Sequence, residues 1–219
     1  MIMELKLDEL KALVSNQIKN LFHFSFDTEY EKLKEGIHLS LLKTENCFSQ
    51  TSNKYYKKND TIYFNPFHSG QYSIFLYFLS RQIYLLDVAN TTLADRIYYL
   101  NKALNGLDLF YEVEMPDVFY LDHPVGTVIG RAKIDNYFSF AQGCTVGGNK
   151  GVYPKIGENV KMFSDAKVIG DTNIGKNVWI SANTYIKDSN IPEQSIVFGS
   201  SPNLIIKNRP IEFFLTSAN

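Results

Sequence analysis

The feature that most constrains this chain is a six-residue period in its second half. Aliphatic or aromatic residues fall at Val128, Ile134, Phe140 and Val146, and again at Ile156, Met162, Val168, Ile174, Ile180 and Ile186. Glycine follows the aliphatic position at Gly147, Gly157 and Gly175, and turn formers such as Asp135, Asn136, Asn159 and Asn177 fill the positions between. A left-handed parallel β-helix needs this pattern, because each six-residue segment supplies one flat side of a triangular coil and turns its aliphatic side chain inward. The step from Val146 to Ile156 breaks the period, so GGNKGVYP is expected to loop out from a corner.

The first half has a different period. Leu5, Leu10, Leu13 and Ile18, and later Leu93, Ile97, Leu100 and Leu104, follow helical spacing. SNKYYKKND reads as a polar connection between helices. The aromatics crowded into residues 62–86 read as the filling of a helical core or a subunit contact. Within them SIFLYFLSRQIYLLDVA is interrupted by Ser80, Arg81 and Gln82, short of the roughly 20 apolar residues of a membrane span, and reads as a buried helix. The expected class is therefore α+β, with a helical N-terminal domain over residues 1–110. A left-handed β-helix of hexapeptide repeats follows over 111–207, and a C-terminal tail over 208–219.

Composition excludes some partners. The 219 residues carry 22 Lys and Arg against 23 Asp and Glu, a net charge of −1, which gives no electrostatic reason to expect nucleic acid or an acidic membrane as partner. Cys47 and Cys144 are too far apart in sequence to suggest a disulfide framework and read as small buried hydrophobes. Acidic residues interrupt MIMELKLDELKALV where an export signal needs an apolar run, so a cytoplasmic location is expected.

At the edge of the repeats stands LDHPVGTVIG, residues 121–130, which sets His123 beside Asp122. This segment, together with AQGCTVGGNKG, YPKIGENV, AKVIGDTNIGKNVWI and VFGSSPNLII in that order, resembles the hexapeptide-repeat acyltransferases, and within them the serine acetyltransferase group. The resemblance covers about residues 60–207, and its clearest motifs lie in 112–207. It implies transfer of an acetyl group from acetyl-CoA as co-substrate to an acceptor hydroxyl. His123 inherits the role of general base, which suits an imidazole because it exchanges its proton near physiological pH.

The same resemblance assigns other roles. The family holds its histidine in one tautomer with an acid from the preceding coil; here VEMP offers Glu114, with Glu112 and Asp117 as alternatives across a coil that must be shortened. Gly147 and Gly148 correspond to the glycine pair at the thioester site, where a main-chain N–H stabilises the oxyanion of the tetrahedral intermediate. Gln142 and Asp122 fall on the acceptor side, and Ala166, Gly199, Ser201 and Lys207 fall along the CoA groove. A homotrimer with the groove between neighbouring subunits is implied, or a dimer of trimers if the helical half pairs them.

One departure bears on the acceptor. Where the serine group has Arg-His before Pro-Lys-Ile, this chain has Val152-Tyr153, which removes two cationic partners of a carboxylate. Tyr153 suits a sugar, since its ring can lie against a pyranose and its hydroxyl can bond to it. The expectation is thus O-acetylation of a sugar or surface-polysaccharide precursor, with serine O-acetylation or amino-sugar N-acetylation as alternatives. The zinc enzymes of carbonic anhydrase type that share this β-helix need three histidines around the metal; of the four in this chain only His123 lies among the repeats, so no metal is expected.

Overall fold

The computed structural model describes residues 1–216. They form two compact units, Met1–Glu112 and a second that begins at Val113.

The first unit is built on four helices, α1 (Leu7–Leu21), α2 (Phe26–Ser49), α3 (Ser69–Leu86) and α4 (Thr92–Asn105). Helix α3 is central. It packs against both α2 and α4, and every residue from Gly70 to Ser80 is buried, which is why its sequence is apolar all round. The Nδ1 of His68 accepts the Gln71 N–H at 3.3 Å to cap its start. In α1, Leu10, Val14 and Ile18 form the buried stripe. Leu93, Ile97 and Leu100 do the same for α4, whereas Leu104, placed on that stripe by spacing, is 47% exposed in the last turn. Among the described residues no helix is long and apolar enough to cross a membrane.

Two segments of this unit depart from the sequence reading. Asn53–Asp60 is not a plain connection: Lys54–Tyr56 make a 3-10 turn, and Lys57–Lys58 pair antiparallel with Thr61–Phe64. The aromatic run likewise begins as that strand, which also pairs in parallel with Ile2–Met3, and becomes helical only at Ser69. Cys47 is fully buried in α2.

The second unit is a parallel β-solenoid of three faces. One face stacks Phe119–Leu121, Phe138–Phe140, Lys161–Met162, Val178–Ile180 and Ser195–Ser200. The next stacks Val128–Ile129, Thr145–Gly147, Lys167–Ile169 and Tyr185–Lys187. The third stacks Lys133–Ile134, Lys155–Ile156, Asn173–Ile174 and Asn190–Ile191. Each face sends one ladder of side chains inward. Phe140, Met162, Ile180 and Val197 are stacked in one, Val146, Val168 and Ile186 in another, and Ile156, Ile174 and Ile191 in the third, all at most 4% exposed. Full burial of each such side chain stabilises by about 1.5–3 kcal/mol.

The period-six reading places these residues correctly from Ile134 onward and misplaces one. Val128 is 42% exposed, and its neighbour Ile129, at 1%, is the residue that stacks inward on Val146. The corners carry left-handed backbone, with positive φ at Tyr137, Asn159, Asn177 and Gln194 along one edge. Asn tolerates that conformation better than most side chains. After the repeats, Asn203–Asn208 pairs antiparallel with Ser195–Ser200, and helix α5 (Ile211–Thr216) follows. Phe214, buried, meets the Trp179 ring edge-on at 5.7 Å. Residues 217–219 of the expected tail lie outside the described residues.

Candidate active site

His123 lies where the first face turns into the second, and this corner is longer than those stacked with it. Eight residues lead from Leu121 to Ile129, against six from Phe140 to Val146, Met162 to Val168 and Ile180 to Ile186. The surplus bulges outward. Pro124 turns back into the coil and is buried, while His123 adopts φ 49° and its side chain is 88% exposed. The bulge is held by a short backbone bond from Val125 N–H to the His123 carbonyl, 2.7 Å, and one from Gly143 N–H to the Val125 carbonyl, 3.0 Å. Thr127 pins it from below: its buried hydroxyl donates to the Ala141 carbonyl at 2.8 Å and accepts the Cys144 N–H at 3.1 Å. Sequence reading missed Thr127, whose role depends on which residues the coil stacks beneath it.

The carboxylate recorded against the imidazole is Asp122, with Oδ1 3.5 Å from Nε2. Glu114 and Asp117 are exposed in the segment before Phe119, and Glu112 belongs to the first unit. Gln142 is exposed on the adjacent coil, where its carbonyl accepts the Asp165 N–H at 2.9 Å. Cys144, beneath this corner, is not a competing nucleophile. Burial pushes its thiol up from the usual range, and Sγ lies 3.2 Å from the Phe163 carbonyl.

Gly147 and Gly148 sit at the opposite end of the second face, so one chain does not bring them to His123. They open the expected loop. Asn149 and Val152 exchange backbone hydrogen bonds of 2.9 and 3.0 Å across it, and Lys150, Val152 and Tyr153 are exposed. A Cβ on Gly148 would stand 2.7 Å from Cε1 of Tyr153, so the glycine is what lets that ring fold back against the loop's base.

The residues expected along the donor groove divide into two groups. Gly199 and Lys207 are exposed on the final hairpin, and Lys207 Nζ stands 5.4 Å from the centre of the Phe198 ring. Ser201 closes the hairpin turn, and its hydroxyl is engaged by the Lys187 N–H at 3.0 Å. Ala166 stands apart from these. It is fully enclosed in its corner, with its carbonyl accepting the Thr145 N–H at 3.0 Å, because the coil above and below closes over a small side chain there. Among the described residues no group of three His, Cys, Asp or Glu is placed to hold a metal ion.

The arrangement offers an exposed imidazole beside a carboxylate at one corner and a glycine-rich loop at the next. No protein-family model matches the sequence. The chain is 29% identical over 145 residues to a serine acetyltransferase of Staphylococcus xylosus, a match that takes in 64% of this chain and 65% of that protein. Serine acetyltransferase of Staphylococcus aureus strain Mu50 is 28% identical over the same length. The chain thus spans less than two thirds of the curated relatives it matches. Among solved structures, Neisseria gonorrhoeae serine acetyltransferase superposes with a TM-score of 0.70 at 20% identity, covering 99% of this chain and 85% of the other. A serine acetyltransferase in complex with coenzyme A from Brucella abortus does so with a TM-score of 0.65 at 18% identity, covering 91% and 82%. The fold is that of these proteins: a helical N-terminal region followed by a hexapeptide-repeat left-handed β-helix.

Proposed function

We propose that this chain transfers an acetyl group from acetyl-CoA to the hydroxyl of a small acceptor, with His123 as general base. The observation that carries the reading is the outward bulge that exposes His123 beside Asp122, in a chain that resembles serine acetyltransferases around it. The imidazole takes the hydroxyl proton as the oxygen attacks the thioester carbonyl. Main-chain N–H groups at Gly147–Gly148 steady the resulting oxyanion. When the intermediate collapses, the C–S bond breaks and the imidazolium returns the proton to the departing CoA thiolate. Asp122 offsets the imidazolium charge, and Glu114 is the first choice for the acid that fixes the tautomer.

His123 and Gly147 lie at opposite ends of one face, so this chemistry needs a homotrimer in which one copy's corner meets its neighbour's loop. The exposed Val125, Val128 and Val152 supply apolar surface for that contact. Gly199 and Lys207 then line the CoA path.

Serine is the acceptor that the relatives favour. Lys150 and Lys155, both exposed and on either side of Tyr153, stand in for the missing cations opposite its carboxylate. A sugar hydroxyl is the second reading, and the half-exposed Tyr153 ring is the observation in its favour. Incubation with acetyl-CoA and serine, sugars, amino sugars or nucleotide sugars in turn, read by mass spectrometry, separates them. Acetylation of none would overturn the reading.

A further inference from the structure

The loop that carries Tyr153 is fastened to the body of the solenoid by a carboxylate two coils away. Asp188 adopts φ 48° at the corner after Tyr185–Lys187, with its own N–H donating to the Ile169 carbonyl at 3.1 Å. From there its two oxygens diverge. Oδ1 accepts the Asp171 N–H at 2.9 Å, which locks the side chain to the coil below. Oδ2 accepts Nδ2 of Asn149 at 3.2 Å, which reaches past that coil to the loop. Gly170 makes the space: a Cβ there would stand 2.1 Å from Asp188 Oδ1 and 2.8 Å from Asn149 Cβ, at a φ of 71° that also disfavours any side chain.

The loop needs such a fastening. Its tip is closed on itself by the Asn149–Val152 pair and by the Tyr153 ring against Gly148, bonds that shape it without aiming it. Backbone bonds hold its two ends, from Gly170 N–H to the Gly147 carbonyl at 2.9 Å and from Lys155 N–H to the Thr172 carbonyl at 2.9 Å. Between those ends, the Asn149–Asp188 bond ties a side chain of the loop to the coil. We propose that Asp188 is a positioning residue for acceptor binding, acting through Asn149 to fix the direction of the Gly148–Tyr153 loop. This rests on the reading of that loop as the acceptor side of an acetyl-transfer site.

The pair allows an exchange of donor and acceptor. Asp188→Ala removes the tether, and Asn149→Asp sets two carboxylates against each other. Asn149→Asp combined with Asp188→Asn restores one donor and one acceptor while leaving Oδ1 free to hold Asp171. Each single variant is expected to raise the acceptor KM by about three- to fivefold, the effect of one charge-assisted hydrogen bond at a solvent-exposed site. The acetyl-CoA KM should stay within about twofold, and the exchanged pair should recover most of the acceptor KM. Hydrogen exchange at amides 148–153 in the free protein, which needs no substrate, should be faster in both single variants and slow again in the exchanged pair. If the amides respond in this way but acceptor KM does not, the tether is real and its role in acceptor binding is overturned. If wild type acetylates none of the acceptors while the amides respond, the functional reading fails and the tether stands. Unchanged exchange in both single variants would overturn the tether itself.

Discussion

The Asp122 carboxylate stands 3.5 Å from Nε2 of its chain neighbour His123, and their side chains are 58% and 88% exposed. An ion pair so open to water adds little to stability. Its consequence is chemical, since an exposed carboxylate beside the imidazole offers an acceptor for a ligand N–H or O–H. Asp122→Asn should therefore leave thermal unfolding unchanged while raising the acceptor KM by about tenfold or more, the range for losing a charge-assisted hydrogen bond. Steady-state kinetics with each substrate varied in turn checks this. A rise confined to the acetyl-CoA KM would place Asp122 on the donor side.

The register of the first coil is open to a direct comparison. Ile129 is buried against Val146, whereas Val128 is 42% exposed. Ile129→Ala should cost about 2–5 kcal/mol of unfolding free energy by opening a cavity in the ladder. Val128→Ala should stay within about 0.5 kcal/mol for the isolated chain. Denaturant unfolding of the two variants measures both, and the reverse order would put the inward position at 128.

The helical unit carries its own pH dependence. Burial opposes ionisation of Glu29, but hydrogen bonds from the Arg96 guanidinium and the Ser25 N–H outweigh it and hold the carboxyl below the usual range. A carboxyl with a depressed folded-state pKa adds stability that is complete above the unfolded-state value and is lost as pH falls through the folded-state value. Acidification across that window should thus lower the melting temperature of this unit, and Glu29→Gln should lower it at neutral pH and flatten its slope with pH. An unchanged slope in Glu29→Gln would show that other groups carry the dependence.

Tyr153 tests the acceptor. Its ring lies against Gly148 and is 44% exposed. Tyr153→Ala should weaken a sugar acceptor and spare acetyl-CoA. If serine is the acceptor, Lys150→Ala or Lys155→Ala should cost about tenfold or more in kcat/KM instead, the loss of a charge-assisted bond to its carboxylate.

The repeats were readable because each side of the coil is one hexad with one inward aliphatic residue, so spacing alone gives burial from Ile134 to Ile186. That logic fails where a corner changes length. The step from Ile129 to Ile134 is five residues rather than six, so counting back by six from Ile134 lands on Val128. The strand at Thr61–Phe64 was masked by aromatics that suit a helix core equally well. Of the candidate site, the resemblance named His123, Asp122 and the glycine pair, while Thr127 and Asp188 stayed hidden. Their partners lie 14 and 39 residues away, at Ala141 and Asn149, and are set only by how the coils stack. Coil arithmetic with the loop allowed for could have brought Asp188 over Gly170.

The central claim is that His123 is the base. Release of the CoA thiol and the mass shift of the acceptor, compared between wild type and His123→Ala at equal oligomeric state, test it most directly. The variant is expected to fold as wild type does, because the side chain it loses is 88% exposed on the single chain, yet at equal oligomeric state to turn over about two to four orders of magnitude more slowly. Comparable turnover in the variant would contradict it.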